Sequence, residues 1–387
     1  MIPYGRQQVT DADIDAVVEV LRSDFLTQGP LVPRFEQTIS AQLGAEYAVA
    51  VNSATSALHI ACLALKLGPG DCLWTVPNTF VASANCGRYC GAEVDFVDID
   101  PVTWNLSVSA LERKLAEAEK LRRLPKIVVP VHFAGQPTEQ EAIWALAQKY
   151  GFKILEDASH SIGASRNGEA VGSCRWSHVS VLSFHPVKII TSAEGGMALT
   201  RDRELAECMA MLRTHGITRE AGRLRCDDPP VWFYEQQMLG FNYRMTDVHA
   251  ALGLSQFRRL EEYIERRNAL ARRYDAALRG LPLQLPTILS GNRSAFHLYV
   301  VRLNGGANSA SHRDVFESLR KRGIGVNVHY IPVHLQPYYR DLGFHEGQFP
   351  QAETHGECAI TLPLYPGMSN EQQDRVVNVL REVLLNA

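Results

Sequence analysis

The sequence has no long apolar run, and this absence limits what the chain can be. No stretch of its 387 residues reaches the roughly 20 consecutive apolar residues that a membrane-spanning helix needs. The N-terminus, MIPYGRQQ, has no basic region followed by an apolar one, so no secretory signal is predicted. The formal net charge of −3 gives no reason to expect a nucleic acid or an anionic membrane as a partner. We therefore expect a cytoplasmic protein.

Metal-binding and redox signatures are missing as well. The eight cysteines are scattered, and the CxxxC spacing of Cys86 and Cys90 matches no strong zinc or redox motif. Histidines gather in the last part of the chain, but the spacing of His329, His334, His345 and His355 fits no standard metal site. We therefore expect reduced thiols and no bound metal.

What the sequence does contain is a regular alternation of short apolar runs and helical patterns. Runs typical of strands cover 47–51, 72–76, 94–97, 126–131 and 152–155, and helical patterns cover 54–67, 80–89, 107–122 and 138–150. Strands that alternate with helices predict an α/β fold with a parallel sheet covered on both faces. Ligands of such sheets bind beyond the carboxyl ends of the strands, so those ends are the places to search for a site.

The flanking segments predict further elements. Helical patterns begin near Thr10 and at Phe35, and two more strands are predicted at 178–183 and 197–200. A polar insertion at 215–240, either a substrate lid or a dimer contact, precedes a long helix or helix pair at 245–279. The last part predicts a small α+β unit, with strands at 297–303 and 325–329 and helices at 312–322 and 370–385.

The segment LPLQLP at 281–286 breaks the helical pattern, which indicates a linker or domain boundary. We predict three parts of the chain. They are an N-terminal arm and helix at 1–30, a large domain at 31–250, and a long helix with a small C-terminal domain at 251–387.

Lys188 stands between two apolar strands, in the segment SFHPVKIITSAEGG at 183–196. A charged, unpaired lysine is costly in such a place, whereas a desolvated neutral amine is a good nucleophile toward an aldehyde. Taken alone, a lysine that extends out of a turn into solvent is the commoner explanation. The residues at the other strand ends are needed to choose between a solvent-exposed lysine and a buried nucleophile.

Three other strand ends carry residues suited to one kind of ligand. The segment NSATSAL at 52–58 opens a helix with small hydroxyl residues, which suits a phosphate, although N-capping by Ser53 is the simpler explanation. Phe80 follows the second strand and could belong to the core or stack on a planar ligand. Glu156 and Asp157 end an apolar strand, where one of them could pair with a protonated ring nitrogen, or both could form a cap or surface pair.

Pyridoxal phosphate (PLP) needs four features together: an anchor for its phosphate, a wall for its ring, a carboxylate at its pyridine nitrogen and a lysine for its aldehyde. Their joint occurrence at the strand ends of one sheet is far more specific than any single motif. No Gly-rich dinucleotide fingerprint follows the first strand, which counts against a nicotinamide-dependent oxidoreductase. The sequence therefore predicts a PLP enzyme.

The same segments resemble a known family, the nucleotide-sugar aminotransferases of the DegT/StrS type. The resemblance covers nearly the whole chain, and its motifs are LTQG at 26–29, NSATSAL at 52–58, EDASH at 156–160, SFHPVK at 183–188, EGG at 194–196, NYRMTD at 242–247 and HYIP at 329–332. It implies the aspartate aminotransferase-like fold (PLP fold type I), with a large, mostly parallel α/β/α domain and a small C-terminal α+β domain.

Residue by residue, the resemblance implies a site for PLP, which would pass through the pyridoxamine phosphate (PMP) form during turnover. Lys188 would bind the aldehyde of the cofactor and move the proton, and Asp157 would pair with the pyridine nitrogen. Phe80 would stack on the ring, and His160 would lie near the ring hydroxyl. The phosphate would be held by Ala54, Thr55 and Ser183, and by Asn242 from the other subunit of a homodimer with shared sites.

The resemblance also implies a substrate class. The segments NSATSAL at 52–58, TFVASAN at 79–85, TSAEGG at 191–196 and VHYIP at 328–332 are most similar to the branch that uses L-glutamate to aminate C4 of a UDP-4-keto-6-deoxy-N-acetyl hexose in pseudaminic acid biosynthesis. Substrate contacts would come from Tyr4, Asp24, Phe25, Leu26, Thr27, Ala54, Ser183, Asn242, His329 and Tyr330.

Two alternatives stay open. The chain could be another PLP enzyme on the same scaffold, such as a C4 or C3 aminotransferase of the UDP-4-keto-arabinose or dTDP-4-keto-6-deoxyglucose type, or an amino-acid enzyme. It could also be a non-catalytic nucleotide-sugar-binding protein. A dehydratase branch of the family has histidine in place of the lysine, so Lys188 favours transamination over dehydration.

Overall fold

A seven-stranded sheet lies at the centre of the structure, a computed structural model that describes residues 1–304 and 311–385. The helices are α1 (Asp11–Leu21), α2 (Leu31–Leu43), α3 (Ala54–Ala64), α4 (Ala82–Tyr89), α5 (Val108–Lys120), α6 (Gln140–Tyr150), α7 (Arg203–Leu212), α8 (Asp247–Phe257), α9 (Leu260–Leu278), α10 (His312–Lys321), α11 (Pro337–Arg340), α12 (Pro350–Cys358) and α13 (Asn370–Leu385). The strands are β1 (Tyr47–Val51), β2 (Cys72–Thr75), β3 (Glu93–Phe96), β4 (Ile127–Val129), β5 (Lys153–Asp157), β6 (Ser165–Arg166), β7 (Glu169–Ala170), β8 (Val179–Ser183), β9 (Gly196–Thr200), β10 (Ile217–Thr218), β11 (Glu235–Gln236), β12 (Leu283–Gln284), β13 (Asn292–Arg293), β14 (Tyr299–Leu303) and β15 (Ala359–Leu362).

The strand order of the central sheet is β1-β9-β8-β5-β4-β2-β3. Neighbouring strands run parallel except at β9, which is antiparallel to both β1 and β8. Successive residues of β5 belong to different buried clusters, because Leu155 packs with side chains of α3 whereas Ile154 packs with side chains of α5 and α6. Helices therefore cover both faces, and the predicted α/β class with a mostly parallel sheet is confirmed.

The small C-terminal unit is built on the antiparallel sheet β12-β14-β15. Its core joins this sheet to α9, α10 and α13 through side chains such as Leu270, Val315 and Leu380. The segment predicted as a linker at 281–286 contains β12, which forms an edge of this sheet. The division of the chain into three parts stays a prediction.

The strand predicted at 325–329 was wrong. The segment makes only an isolated bridge, between Asn327 and Thr361, and Ile324 before it bridges to Ile2 of the N-terminal arm. Because Oδ1 of Asn327 accepts the N–H of Val328 at 2.9 Å, one backbone donor is used locally and not in a strand ladder. This irregular backbone leads directly into the 329–330 segment of the site.

The helical predictions hold in part. The pattern at 245–279, predicted as one long helix or a helix pair, is a pair, α8 and α9, which separate at 258–259. Helix α7 was not predicted, although Asp202 caps it by accepting the N–H groups of Glu204 and Leu205. The predicted helix at 80–89 begins only at Ala82, which leaves Phe80 outside the helix.

The insertion at 215–240 carries β10 and β11, which pair with each other. It exposes large apolar side chains, among them Val231, Trp232 and Leu239. Exposed apolar groups that lie together are typical of a surface that meets another molecule. Within residues 1–304 and 311–385, no helix has both the length and the apolar character that crossing a membrane requires.

Candidate active site

A cavity of about 420 Å³ opens where β1, β5 and β8 end. The N-terminus of α3, the segment after β2 and the 327–330 segment also line it. Ten of the predicted site residues line this cavity: Tyr4, Ala54, Thr55, Phe80, Asp157, His160, Ser183, Lys188, His329 and Tyr330. The fold thus brings together residues from distant parts of the chain at the carboxyl ends of the strands, as expected for a parallel sheet.

Lys188 lies in the connection between β8 and β9, and its backbone N–H donates to the carbonyl of His185 at 2.9 Å. The side chain lines the cavity. Burial lowers the pKa of Lys188 to about 8, against an opposing contribution from the Asp157 carboxylate. A substantial fraction of the amine is therefore neutral near pH 8, and the neutral amine is the form that attacks an aldehyde.

The side chains of the two acids at the end of β5 lie on opposite sides of the sheet. Asp157 lines the cavity, where its Oδ2 accepts the hydroxyl of Ser83 at 2.6 Å. Glu156 is buried on the other side, where it accepts the side-chain amide of Gln140 at 2.5 Å. Because successive strand residues point to opposite faces, only Asp157 of this pair meets the cavity.

Helix α3 begins at Ala54 at the edge of the cavity, and Ser53 caps it by accepting the N–H of Ser56 at 3.1 Å. The remaining N–H groups of the first turn have no acceptor within the helix. A Cβ at Gly196 would collide with the backbone nitrogen of Ala54, so glycine is what allows β9 to start against this helix end. Ser183, the register partner of Gly196, completes a set of donors that suits an anion.

Phe80 is 59% exposed and lines the cavity, so it is not part of the core. An aromatic ring left open at the mouth of a cavity can stack on a planar ligand. It lies just before α4, whose residue Ser83 contacts Asp157. The same helix start therefore positions both the aromatic wall and the hydrogen bond to the acid.

His160 is held between a backbone amide and a tyrosine. Its Nδ1 accepts the N–H of Ala134 at 3.3 Å, and its Nε2 lies 3.2 Å from the hydroxyl of Tyr330. Burial, together with the charge of Lys188, lowers the pKa of His160 well below its ordinary value. The ring is therefore neutral, and since Nδ1 accepts, Nε2 carries the proton and donates to Tyr330.

The small C-terminal unit and the N-terminal arm contribute another wall. Nδ1 of His329 lies 2.7 Å from Oγ1 of Thr361, and the ring centroid of Tyr4 lies 5.6 Å from that of His329. Burial and the charge of Lys188 lower the pKa of His329 to about 3. The backbone N–H of Tyr330 donates to Oδ1 of Asn78 at 3.1 Å, which ties this wall to the end of β2.

Five predicted residues do not line the cavity of their own chain: Asp24, Phe25, Leu26, Thr27 and Asn242. All five are exposed. Phe25 lines a separate cavity of about 300 Å³ between α1 and α8. A single copy of the chain therefore brings together the predicted cofactor residues except Asn242, but not the predicted 24–27 substrate segment.

Comparison with known proteins now decides the family. Residues 7–381 match the DegT/DnrJ/EryC1/StrS aminotransferase family. The chain belongs to this family. It is accordingly a sugar aminotransferase that depends on PLP.

Relatives of this DegT/StrS-family protein match it over nearly its full length. SpsC, a spore coat polysaccharide biosynthesis protein of Bacillus subtilis, is 37% identical over 389 aligned positions, which cover 100% of this chain and 98% of SpsC. Spr1654 of Streptococcus pneumoniae, described as a sugar aminotransferase in its PMP form, has a TM-score of 0.90 at 29% identity, with 99% of each chain covered. PseC of Helicobacter pylori, an aminotransferase of pseudaminic acid biosynthesis, has a TM-score of 0.89 at 29% identity, with 100% of each chain covered.

Two cavity neighbours of this DegT/StrS-family chain were missed from the sequence. Ser83 lies in the first turn of α4, three positions after Phe80, and a hydroxyl residue so close to a proposed ring wall could have pointed to it. His297 lines the cavity from the small C-terminal unit, with its ring centroid 4.4 Å from that of His160. No local pattern marks His297, because its contact depends on how the two parts of the chain pack.

Proposed function

We propose that the cavity holds PLP, with Lys188 bound to its aldehyde and Asp157 paired with its pyridine nitrogen. Phe80 lies against the ring, and His160 lies near the ring hydroxyl. Ala54, Thr55 and Ser183 hold the phosphate. The fit rests on the donor set at the α3 N-terminus, which Gly196 leaves open, and on the Ser83 hydroxyl that fixes Asp157.

Bound PLP supplies an aldehyde for amino-group exchange and a ring that withdraws electrons from the reacting carbon. The chain itself holds and moves protons. The carboxylate of Asp157, held by Ser83, keeps a proton on the ring nitrogen. Lys188, with a pKa of about 8, would take the proton from the α-carbon of the amino donor and deliver it to the carbon that was the aldehyde carbon of PLP, because both forms of its amine are populated near neutral pH.

The proposed reaction transfers the amino group of L-glutamate to C4 of a UDP-4-keto-6-deoxy-N-acetyl hexose, UDP-2-acetamido-2,6-dideoxy-β-L-arabino-hexos-4-ulose. The observation that carries this choice is the full-length likeness to PseC of Helicobacter pylori. The sugar would lie against the wall formed by Tyr4, His329 and Tyr330. This reaction belongs to the biosynthesis of pseudaminic acid.

The active form that we propose is a homodimer with shared sites. Asn242 and the segment 24–27 are exposed and lie outside the cavity of their own chain, which leaves them available to the cavity of a partner. The insertion at 215–240, with Trp232 and Leu239 exposed, ends two residues before Asn242. Exposed apolar side chains close to a residue that we propose to enter the partner's site favour a dimer contact over a substrate lid as the role of this insertion.

A second substrate is favoured by a different observation. SpsC, at 37% identity, is a protein of spore coat polysaccharide biosynthesis. The alternative substrate is therefore another nucleotide sugar, of the UDP-4-keto-arabinose or dTDP-4-keto-6-deoxyglucose type. The enzyme would aminate it at C4 or C3.

Side-by-side turnover of keto sugars tests the proposed substrate. The purified protein with PLP and L-glutamate receives the UDP-4-keto-N-acetyl sugar with and without epimerisation at C5, UDP-4-keto-arabinose, dTDP-4-keto-6-deoxyglucose and a dTDP-3-keto sugar. We expect the highest kcat/KM with the C5-epimerised UDP sugar. A preference of about tenfold for any of the others would exclude the proposed substrate, because that ratio measures differential transition-state binding.

A further inference from the structure

His297 reaches the cavity from the small C-terminal unit, two residues before β14 begins. Its side chain is buried, with 5% exposure. Its Nδ1 is enclosed by the protein and has no hydrogen-bond partner within residues 1–304 and 311–385. Buried polar atoms are nearly always paired, so an unpaired imidazole at the edge of a cavity calls for a role.

The backbone of His297 is held firmly, although its ring is not hydrogen-bonded at Nδ1. The guanidinium of Arg267 is buried, and its Nη1 donates to the carbonyls of Phe296 and His297 at 3.2 Å each. A Cβ at Gly135 would lie only 2.7 Å from the backbone nitrogen of Phe296 and 2.9 Å from that of His297, so glycine allows this close approach. Phe296 has a φ of 42°, which a bulky residue rarely adopts. Strained backbone of this kind is commonest where function needs a side chain in a fixed place.

The ring of His297 is neutral, and its proton is placed by the surroundings of Nδ1. Burial, together with the charges of His160 and Lys188, lowers the pKa of His297 well below its ordinary value. A neutral imidazole carries one proton, on either nitrogen. On Nδ1 that proton would form a buried N–H without an acceptor, which is rare in proteins. The proton therefore belongs on Nε2, the nitrogen that a ligand in the cavity would reach.

The neighbouring imidazole has no donor left for a ligand. The ring centroid of His160 lies 4.4 Å from that of His297. His160 accepts the N–H of Ala134 at Nδ1 and donates from Nε2 to Tyr330, so both of its nitrogens are used within the protein. In PLP the ring hydroxyl stands next to the carbon that carries the aldehyde. Because we place His160 near that hydroxyl, the N–H of His297 lies on the side of the ring where the reacting carbon binds.

The amino donor brings a carboxylate to this part of the cavity, since its α-carbon carries both the amino group and a carboxylate. Lys188 is the only lysine among the described residues that line the cavity, and none of them is an arginine. A neutral donor suits a site that holds two different substrates in turn. An arginine would remain as an unpaired buried charge when a keto sugar, which has no carboxylate at its reacting carbon, takes the place of the amino acid.

We propose that Nε2–H of His297 binds the α-carboxylate of L-glutamate in the first half of the reaction. This rests on the transamination proposed above and adds a residue that holds the amino donor. With its backbone fixed by Arg267 and Gly135, the imidazole presents a donor in one place, which limits how the amino acid can rotate about its α-carbon.

The two half-reactions, measured separately, test this role. PLP-loaded protein is mixed with L-glutamate, PMP-loaded protein is mixed with the keto sugar, and absorbance follows each in a single turnover. In His297→Phe we expect the glutamate concentration that gives half the maximal rate to rise about 10- to 100-fold, the range for a hydrogen bond to a charged group. The sugar half-reaction should lose less than about threefold. Equal losses in both halves, or no loss with glutamate, would overturn the proposal.

Matched variants separate the lost donor from a disturbed structure. His297→Gln keeps an N–H donor at about the reach of Nε2, so it should recover most of the glutamate affinity, whereas His297→Leu should behave as His297→Phe does. Calorimetric binding of glutarate to the PLP-loaded proteins should show the same order without turnover. The Kd for PLP and the unfolding midpoint should match the wild type in His297→Phe. A glutamine variant as weak as the phenylalanine variant, or parallel losses of PLP binding and stability, would contradict the proposal.

A donor with a single carboxylate identifies which carboxylate His297 binds. With L-2-aminobutyrate, which lacks the second carboxylate of glutamate, His297→Phe should lower the half-reaction by the same factor as with glutamate. An unchanged rate would assign His297 to the other carboxylate and overturn the proposal. Wild-type protein that binds PLP but forms no PMP with either donor would refute the proposed transamination itself, and the inference with it.

Discussion

The hydroxyl of Ser83 donates a hydrogen bond of 2.6 Å to Oδ2 of Asp157. Oγ of Ser83 also lies 2.8 Å from Oγ1 of Thr79, and since Ser83 donates to the acid, Thr79 donates to Ser83. Thr79 immediately precedes Phe80, the aromatic wall of the cavity. The acid at the end of β5 and the wall after β2 are thus held in one hydrogen-bonded chain.

Removal of the Ser83 hydroxyl should weaken cofactor binding. In Ser83→Ala we expect the Kd for PLP to rise by about tenfold or more, since a hydrogen bond to a charged group contributes roughly 1.5–3 kcal/mol. Titration of the apoprotein with PLP, followed by fluorescence, measures this. Ser83→Thr, which keeps a hydroxyl, is the control, and equal Kd values for Ser83→Ala and wild type would show that the bond does not position Asp157.

The lowered pKa of Lys188 should appear in the rate at which the apoprotein takes up PLP. Only the neutral amine attacks the aldehyde, so this rate should rise with pH through about 8 and level off above 9. Stopped-flow absorbance of the cofactor follows it. A lysine peptide, with its ordinary pKa of about 10.4, is the reference. If the rate of PLP uptake by the protein keeps rising with pH as the rate of the peptide does, burial does not lower the pKa of Lys188.

The close approach of β9 to α3 should make Gly196 intolerant of a side chain. A Cβ there would collide with the nitrogen of Ala54, so Gly196→Ala should displace the helix end, lower the stability by about 1–3 kcal/mol and weaken PLP binding. Gly222→Ala is the matched control, because a Cβ at Gly222 meets nothing within 4 Å. Denaturant unfolding and PLP titration measure both effects, and two variants that behave alike would show that the close approach of Gly196 to Ala54 does not shape the phosphate site.

Shared sites should allow two inactive variants to restore each other. Lys188→Ala and Asn242→Ala homodimers are mixed and allowed to exchange subunits, and in a hybrid dimer one of the two sites then has both residues intact. We expect activity in the mixture well above the sum of the separate variants. A mixture that exchanges subunits, as native mass spectrometry can verify, yet gains no activity would mean that Asn242 does not act across the interface.

Much of the fold could be predicted because short apolar strands leave a local signal. Predicted and observed bounds agree for β1, and they agree within two residues for β2, β3, β4, β5, β8 and β9. The rule that ligands bind at the carboxyl ends of parallel strands then placed Thr55, Asp157 and Lys188 around one cavity. The alternation of a strand also explains why Asp157, and not Glu156, meets the cavity.

The features of the fold and site that were not predicted depend on tertiary contacts, which leave no local pattern in the sequence. His297 reaches the cavity only because the small C-terminal unit packs against the sheet, and Asn327 breaks a predicted strand through its own side chain. Residues 24–27 and Asn242 lie outside the cavity of a single chain, so the roles proposed for them require a second copy. Local sequence signals thus define the cofactor side of the site, whereas the substrate side is set by tertiary and proposed quaternary contacts.

The residue to which the cofactor becomes attached is the most direct test of the role proposed for Lys188. The protein loaded with PLP is reduced with sodium borohydride, digested and mapped by mass spectrometry. We expect one pyridoxyl group per chain, on Lys188, and its loss in Lys188→Ala. Attachment to any other lysine, or no attachment in protein that binds PLP, would contradict it.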